Sequence, residues 1–207
     1  MKKNLFIETI KVKDGVLYNQ ELHQKRANQT AKALFNTTID LGLAQLHIPS
    51  YALRGLYKCR IVYADRVNKI EFLPYCKRVI KTCALVRNNQ IDYRYKSANR
   101  ELFNQLLKQT QTDEILLVKD GFITDSSFSN LVFENEEGFF TPSTYLLKGV
   151  KREELLQRGV IHSREIREEN LAEYHTVYFI NAMNDLTDGL SFPLAKLVRD
   201  NSYESDQ

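Results

Sequence analysis

Apolar and polar residues alternate along the start of the chain, Phe6-Ile7-Glu8-Thr9-Ile10-Lys11-Val12-Lys13, until Asp14-Gly15 interrupts them. Alternation with a period of two marks a strand with one buried face. Asp-Gly between two such runs is the strongest short hairpin signal, so residues 4–19 are expected to form two short strands around that turn. Residues 20–36, QELHQKRANQTAKALFN, have helical composition. Leu22, Arg26, Gln29 and Ala33 recur there at three- and four-residue spacing, which puts Arg26 on the predicted inward face. The run from Tyr57 to Val86 is rich in Val, Ile and Tyr and predicts two or three antiparallel strands, with Pro74 interrupting or edging one. RNNQIDY, residues 87–93, breaks the pattern and reads as a linker between a small first half, residues 1–86, and a larger second half, residues 94–207.

The second half opens with a helix over SANRELFNQLLKQT, with Leu102, Leu106 and Gln109 along one face. EILLVKDGFITD predicts a hairpin turning at Asp120-Gly121, and NLVFENEEGFFTPS another turning near Gly138. VKREELLQRG is a short helix that Gly159 can close. TVYFINAM is a buried-type strand, and the last residues, DNSYESDQ, read as a frayed tail. The elements together give an α+β chain in two parts.

Composition narrows the function. The 207 residues are 43% hydrophobic and 27% charged, ordinary for one large or two small domains. A net charge of +3, with cations and acids interleaved, gives no nucleic-acid face. The histidines form no zinc-type pair, and Cys59, Cys76 and Cys83 have no metal spacing. They are expected as reduced core thiols. There is no signal-peptide run and no transmembrane-length stretch, so the expectation is a cytoplasmic protein with no membrane partner.

DYRYKSANR, residues 92–100, carries the candidate chemistry. Taken alone, Lys96 is a solvated surface lysine, as most lysines are. A lysine can instead form an imine with an aldehyde cofactor when burial and cationic neighbours keep its amine partly neutral, and Arg94 and Arg100 flank it. Pyridoxal 5′-phosphate (PLP) makes two further demands. A carboxylate must keep its ring nitrogen protonated, and its phosphate requires helix-start N–H groups and an arginine. Asp125 in ITDSSFSN, the Gly149-Val150-Lys151 helix start and Arg26 are the candidates. Each has a plainer alternative: Asp125 as a turn or N-cap acid beside two serines, Arg26 as a solvated helix arginine.

Read in order, these residues resemble the class IV aminotransferase family, the fold-type IV PLP enzymes. The family's H-x-x-R motif matches His23 to Arg26, and its K-x-x-N-R form matches Lys96 to Arg100. G-x-[IV]-[ST]-E-x-x-x-x-N matches Gly121 to Asn130, with Asp125 in place of Glu. T-P matches Thr141-Pro142, and L-x-G-[IV]-[TK]-R matches Leu147 to Arg152. The strand near the C-terminus matches Phe179 to Asn184.

The resemblance implies a small N-terminal α/β sandwich, a larger C-terminal pseudo-barrel domain, PLP between them, and a homodimer. It makes Lys96 the Schiff-base lysine and general base, and Asp125 the partner of the ring nitrogen. Arg26, the Val150 and Lys151 N–H groups and the turn at Asn181, Ala182 and Met183 would hold the phosphate. Lys11 and Arg60 lie where relatives contact substrate, and ordinary outward strand positions are the alternative for both. The strands that precede the F-E-x-x-R segment in relatives are missing before Glu8, so specificity cannot be carried over from them. The pattern around Lys96 leans to 4-amino-4-deoxychorismate lyase. A branched-chain or D-amino-acid transaminase and a PLP-binding module without turnover are the alternatives.

Overall fold

The computed structural model describes residues 4–199, so the tail at residues 200–207 lies outside the described part. The chain divides into two compact units: Met1–Lys77 with Tyr95–Asn99, and Arg78–Arg94 with Arg100–Gln207.

In the first unit, β1 (Phe6–Lys13) and β2 (Val16–Leu17) form the expected hairpin. Asp14 and Gly15 both have positive φ, 49° and 76°, the two-residue turn whose twist matches the flanking strands. Helix α1 (Gln20–Phe35) follows, then β3 (Leu56–Tyr63) and β4 (Val67–Pro74), giving an antiparallel sheet in the order β2-β1-β3-β4. Pro74 ends an edge strand, where a missing N–H breaks no ladder.

Phe6, Glu8, Ile10 and Val12 of β1 point to the buried face and meet Cys59, Ile61 and Tyr63 of β3. Helix α1 packs on that face through His23, Ala27, Thr30 and Ala31. This stripe is turned one position from the predicted one: Leu22 is half-buried, and Gln29 and Ala33 are exposed. The fully buried alanines let the helix sit close to the sheet. The loop after α1 is fastened to the helix's polar side, with Gln24 Nε2 donating to Ile39 O at 2.5 Å and Leu41 N to Gln24 Oε1 at 3.0 Å.

Tyr95–Asn99 joins this unit because it pairs with the start of β1. Ile7 N donates to Lys96 O at 2.9 Å, Ala98 N to Leu5 O at 2.8 Å, and Phe6 is bridged to Ser97.

In the second unit, β5 (Cys83–Arg87) runs parallel to β6 (Glu114–Lys119), with α2 (Glu101–Thr110) between them in sequence. The sequence reading put Cys83–Val86 with the antiparallel strands of the first half. Its burial on nearly every residue fits a parallel strand covered on both faces. On α2 the buried residues are Leu106, as expected, and Phe103, while Leu102 and Gln109 of the predicted face are exposed.

From β6 the chain continues through β7 (Phe122–Ser126), β8 (Asn130–Asn135) and β9 (Gly138–Pro142), then α3 (Val150–Gln157), closed by Gly159 at φ 67°. Two short strands, β10 (His162–Arg164) and β12 (Ser191–Pro193), were not predicted; β11 (Thr176–Ile180) was. The sheet runs β10-β9-β8-β7-β6-β5, with β11 paired to β8 and β12. Its core gathers Leu116, Ile123, Leu131, Phe133, Val177 and Phe179. Each such fully buried side chain contributes about 1.5–3 kcal/mol.

Cys59 and Cys83 are buried as expected, and burial pushes the Cys59 thiol up to about 12. Cys76, two residues past the end of β4, is exposed, so it is not a core residue.

Candidate active site

In the first unit the site is built around one buried carboxylate. Glu8 occupies an apolar phase of β1 and is fully buried, so it needs partners. His23 and Arg26, three residues apart on α1, supply them. Arg26 donates from Nε to Glu8 Oε1 at 2.9 Å and from Nη2 to Oε2 at 2.5 Å, and His23 Nδ1 lies 2.6 Å from Oε2. Burial alone would raise the Glu8 carboxyl, but the Arg26 charge and the His23 hydrogen bond outweigh it and hold it at about 2. Burial depresses His23, with the Arg26 and Lys96 charges acting the same way, so the neutral ring donates from Nδ1. Its Nε2 is buried with no hydrogen-bond partner among the described residues. Arg26 is therefore a nearly buried, oriented guanidinium, 11% exposed, and not a solvated helix residue.

The Lys96 main chain pairs with Ile7 of β1, and the Lys96 charge is one of those that lower His23. Ser97 N donates to Tyr95 O at 2.7 Å, which sets Lys96 at the apex of a three-residue turn. Tyr95 packs edge-on against Phe6 at 6.3 Å. Lys96 is half-buried. Lys11 and Arg60 lie on the opposite face of the sheet, Lys11 over the Tyr18 ring at 5.7 Å and Arg60 3.2 Å from Glu71.

In the second unit Asp125 is the only residue of β7 that pairs with β8, opposite Asn130. The Ser126–Ser129 turn closes this corner, with Ser126 N donating to Ser129 O at 2.9 Å. Asn130 Nδ2 donates to Asp125 Oδ1 at 2.8 Å and to Leu147 O at 2.9 Å, and Leu147 N donates to Asp125 Oδ2 at 2.9 Å. These bonds hold the carboxyl in place without a cationic contact, and burial raises it to about 6. Gly149 follows directly: a Cβ there would lie 1.7 Å from Asn130 Oδ1.

Gly149 also starts α3. The helical ladder begins with Glu153 N donating to Gly149 O at 3.0 Å, so the N–H groups of Val150, Lys151 and Arg152 lie outside it. The Lys151 side chain is buried between Glu154 at 2.5 Å and Asp185 at 2.7 Å, and so ties the helix start to the turn after β11. In that turn Asn181 Oδ1 accepts from Met183 N at 2.8 Å and Asn184 N at 3.1 Å. The Met183 N–H is thus already committed. Arg152 is buried under the Tyr145 ring and donates to Thr141 Oγ1 and Pro142 O, which accounts for the Thr-Pro and Lys-Arg motif positions.

Both groups fit PLP. Asp125 is a buried carboxyl with no ion pair among the described residues and only the Arg152 charge acting on it, so a pyridinium nitrogen would suit it, and the α3 N–H groups are donors suited to a phosphate. Sequence reasoning matched Glu8, Asn130 and Asn184 to family segments but gave none of them a role. Glu8 could have been found as the one acid in the apolar phase of β1.

The family model for amino-transferase class IV matches residues 5–191, and the chain belongs to this family, whose members are PLP-dependent enzymes. A protein from Haemophilus somnus, described provisionally as a 4-amino-4-deoxychorismate lyase, has a crystal structure matching with TM-score 0.82. It is 35% identical, over 90% of this chain and all of the other. An uncharacterized protein of Haemophilus influenzae is 33% identical over 86% of this chain and 97% of its own length. A hypothetical aminotransferase from Mycobacterium tuberculosis in its PLP-bound form has the same fold, TM-score 0.74 at 15% identity, over 98% of this chain and 85% of the other. The α+β fold is thus the fold-type IV class.

Proposed function

We propose that this chain is a lyase that acts on 4-amino-4-deoxychorismate and releases pyruvate and 4-aminobenzoate, working as a cytoplasmic homodimer. The observation that carries the reading is the 35% identity, over the full length of the other chain, to the Haemophilus somnus structure. Bound PLP supplies an electron-accepting pyridine ring. Lys96 carries the cofactor and moves the proton from the substrate carbon next to the amine. Asp125 stays ionised against the ring nitrogen, held by Asn130 and Leu147 N. Arg26, oriented by Glu8, is the first unit's candidate for the phosphate; the N–H groups of Val150 and Lys151 and the Asn181–Ala182–Met183 turn are the second unit's candidates. Lys11 and Arg60 contact substrate carboxylates.

The test is product analysis on purified protein. Release of 4-aminobenzoate with no added keto acid supports the lyase. Product formed only when a keto acid is supplied assigns a transaminase instead. Cofactor binding with neither product leaves a PLP-binding module.

A further inference from the structure

The Lys151 side chain stands against two local rules. It is the second residue of α3, at the end of a helix where the dipole disfavours a cation. It is also only 7% exposed, and a buried ammonium needs partners. Two carboxylates supply them: Glu154 lies 2.5 Å and Asp185 2.7 Å from its Nζ. The two contacts differ in what they hold. Glu154 is on the same helix and has a second partner in Arg158 at 3.0 Å. Asp185 is 34 residues away in sequence, in the turn after β11. Burial would raise the Asp185 carboxyl, but the Lys151 hydrogen bond and charge outweigh it and hold it low, so the pair is ionised.

Asp185 is fixed in its turn. Its N–H donates to Asp188 Oδ2 at 2.7 Å. Just before it, Asn181 and Asn184 exchange both main-chain hydrogen bonds at 3.1 Å. Beside the ion pair, Leu155 of α3, Ile180 of β11 and Leu186 share one apolar cluster with Val132. Apolar contact is non-directional and sets how close two elements lie, whereas a charge-assisted hydrogen bond also sets their rotation and slide.

We propose that Lys151 and Asp185 are positioning residues for the cofactor phosphate: their ion pair locks the start of α3 to the Asn181–Asn184 turn, so that both elements bear on the same phosphate. This rests on the enzyme reading above and gives the Lys151 side chain a task separate from that of its N–H. Pyridoxal, which has no phosphate, gains nothing from the lock.

Titration of cofactor-free protein with PLP and with pyridoxal, followed by absorbance, tests the assignment. The parent protein is expected to bind PLP at least about a hundredfold tighter than pyridoxal, as two charge-assisted hydrogen bonds would give. Lys151→Gln and Asp185→Ala should each cut that ratio about tenfold by weakening PLP alone, the loss of roughly one such bond. Asp185→Asn, whose amide oxygen still accepts from Lys151, should keep most of the ratio. The double variant Lys151→Met/Asp185→Ala leaves no buried unpaired charge, because Glu154 retains Arg158, and serves where a single variant fails to fold. It too should show the tenfold cut. A ratio unchanged in the double variant, a ratio that rises in Asp185→Ala, or an equal loss of PLP and pyridoxal overturns the proposal. Parent protein that binds PLP no better than pyridoxal sinks the reading of these elements as the phosphate site, and a parent preference that no variant moves sinks the lock alone.

Discussion

Replacing Gly149 by alanine probes the Asp125 corner directly. Gly149 has φ −76° and ψ 139°, which any residue adopts, so the backbone is not strained by the change. At a compatible position Gly→Ala stabilises by about 0.4–1 kcal/mol through the unfolded chain. Here the new Cβ would lie 1.7 Å from Asn130 Oδ1 and 2.9 Å from Cγ. Asn130 cannot swing aside without giving up its bonds to Asp125 Oδ1 and Leu147 O. Losing both inside a buried corner costs about 2–4 kcal/mol at ~1–2 each, and overpacking of such a site typically costs a further 1–3 kcal/mol. Net destabilisation of about 2–7 kcal/mol is expected in urea unfolding of cofactor-free protein. In an Asn130→Ala background the same glycine change should be close to neutral, so the two mutations couple by nearly the whole effect. A Gly149→Ala protein within about 0.5 kcal/mol of the parent, or additive costs in the double variant, would refute the reasoning.

Three further outcomes follow from the buried groups. Glu8 is held at about 2 against an ordinary 4.5, so its ionised form contributes on the order of 3 kcal/mol that is present above pH 4.5 and lost as pH falls toward 2. Glu8→Gln should flatten that part of the stability–pH curve in chemical unfolding, and an unchanged curve would contradict the pairing. Asp125 runs the other way: its folded value is raised to about 6 from 3.8, so ionising it opposes folding increasingly between those values. Its carboxyl carbon resonance should titrate near pH 6 without cofactor and shift to lower pH when PLP is bound, and a midpoint unmoved by PLP would separate Asp125 from the ring nitrogen. With a thiol reagent, native protein should label fast at Cys76 and slowly at buried Cys59 and Cys83.

Much of this was legible before the structure. Asp14-Gly15 and Asp120-Gly121 carry turn chemistry strong enough to fix their hairpins, and both do. The α1 face was legible in kind but turned by one position, because α1 buries His23 and Thr30, polar residues that a hydrophobic pattern passes over. The direction of β5 was not readable, since an apolar run is the same in parallel and antiparallel pairing and only the partner, β6, decides it. The β10 and β12 strands are three residues each and carry no period. Among the site residues, the motif order marked Lys96, Asp125 and Arg26. The Glu8 partner pair depends on bringing β1 against α1, and the Asn130–Gly149 contact joins residues 19 apart through tertiary packing. Local sequence does not encode either distance.

The central claim is that the Lys96 amine carries the cofactor. Borohydride treatment of PLP-loaded protein, followed by peptide mapping, measures this directly. The account predicts one pyridoxyl label per chain, on the peptide containing Lys96, and loss of that label in Lys96→Ala. A label on another lysine, or none in protein whose absorbance shows bound cofactor, would contradict it.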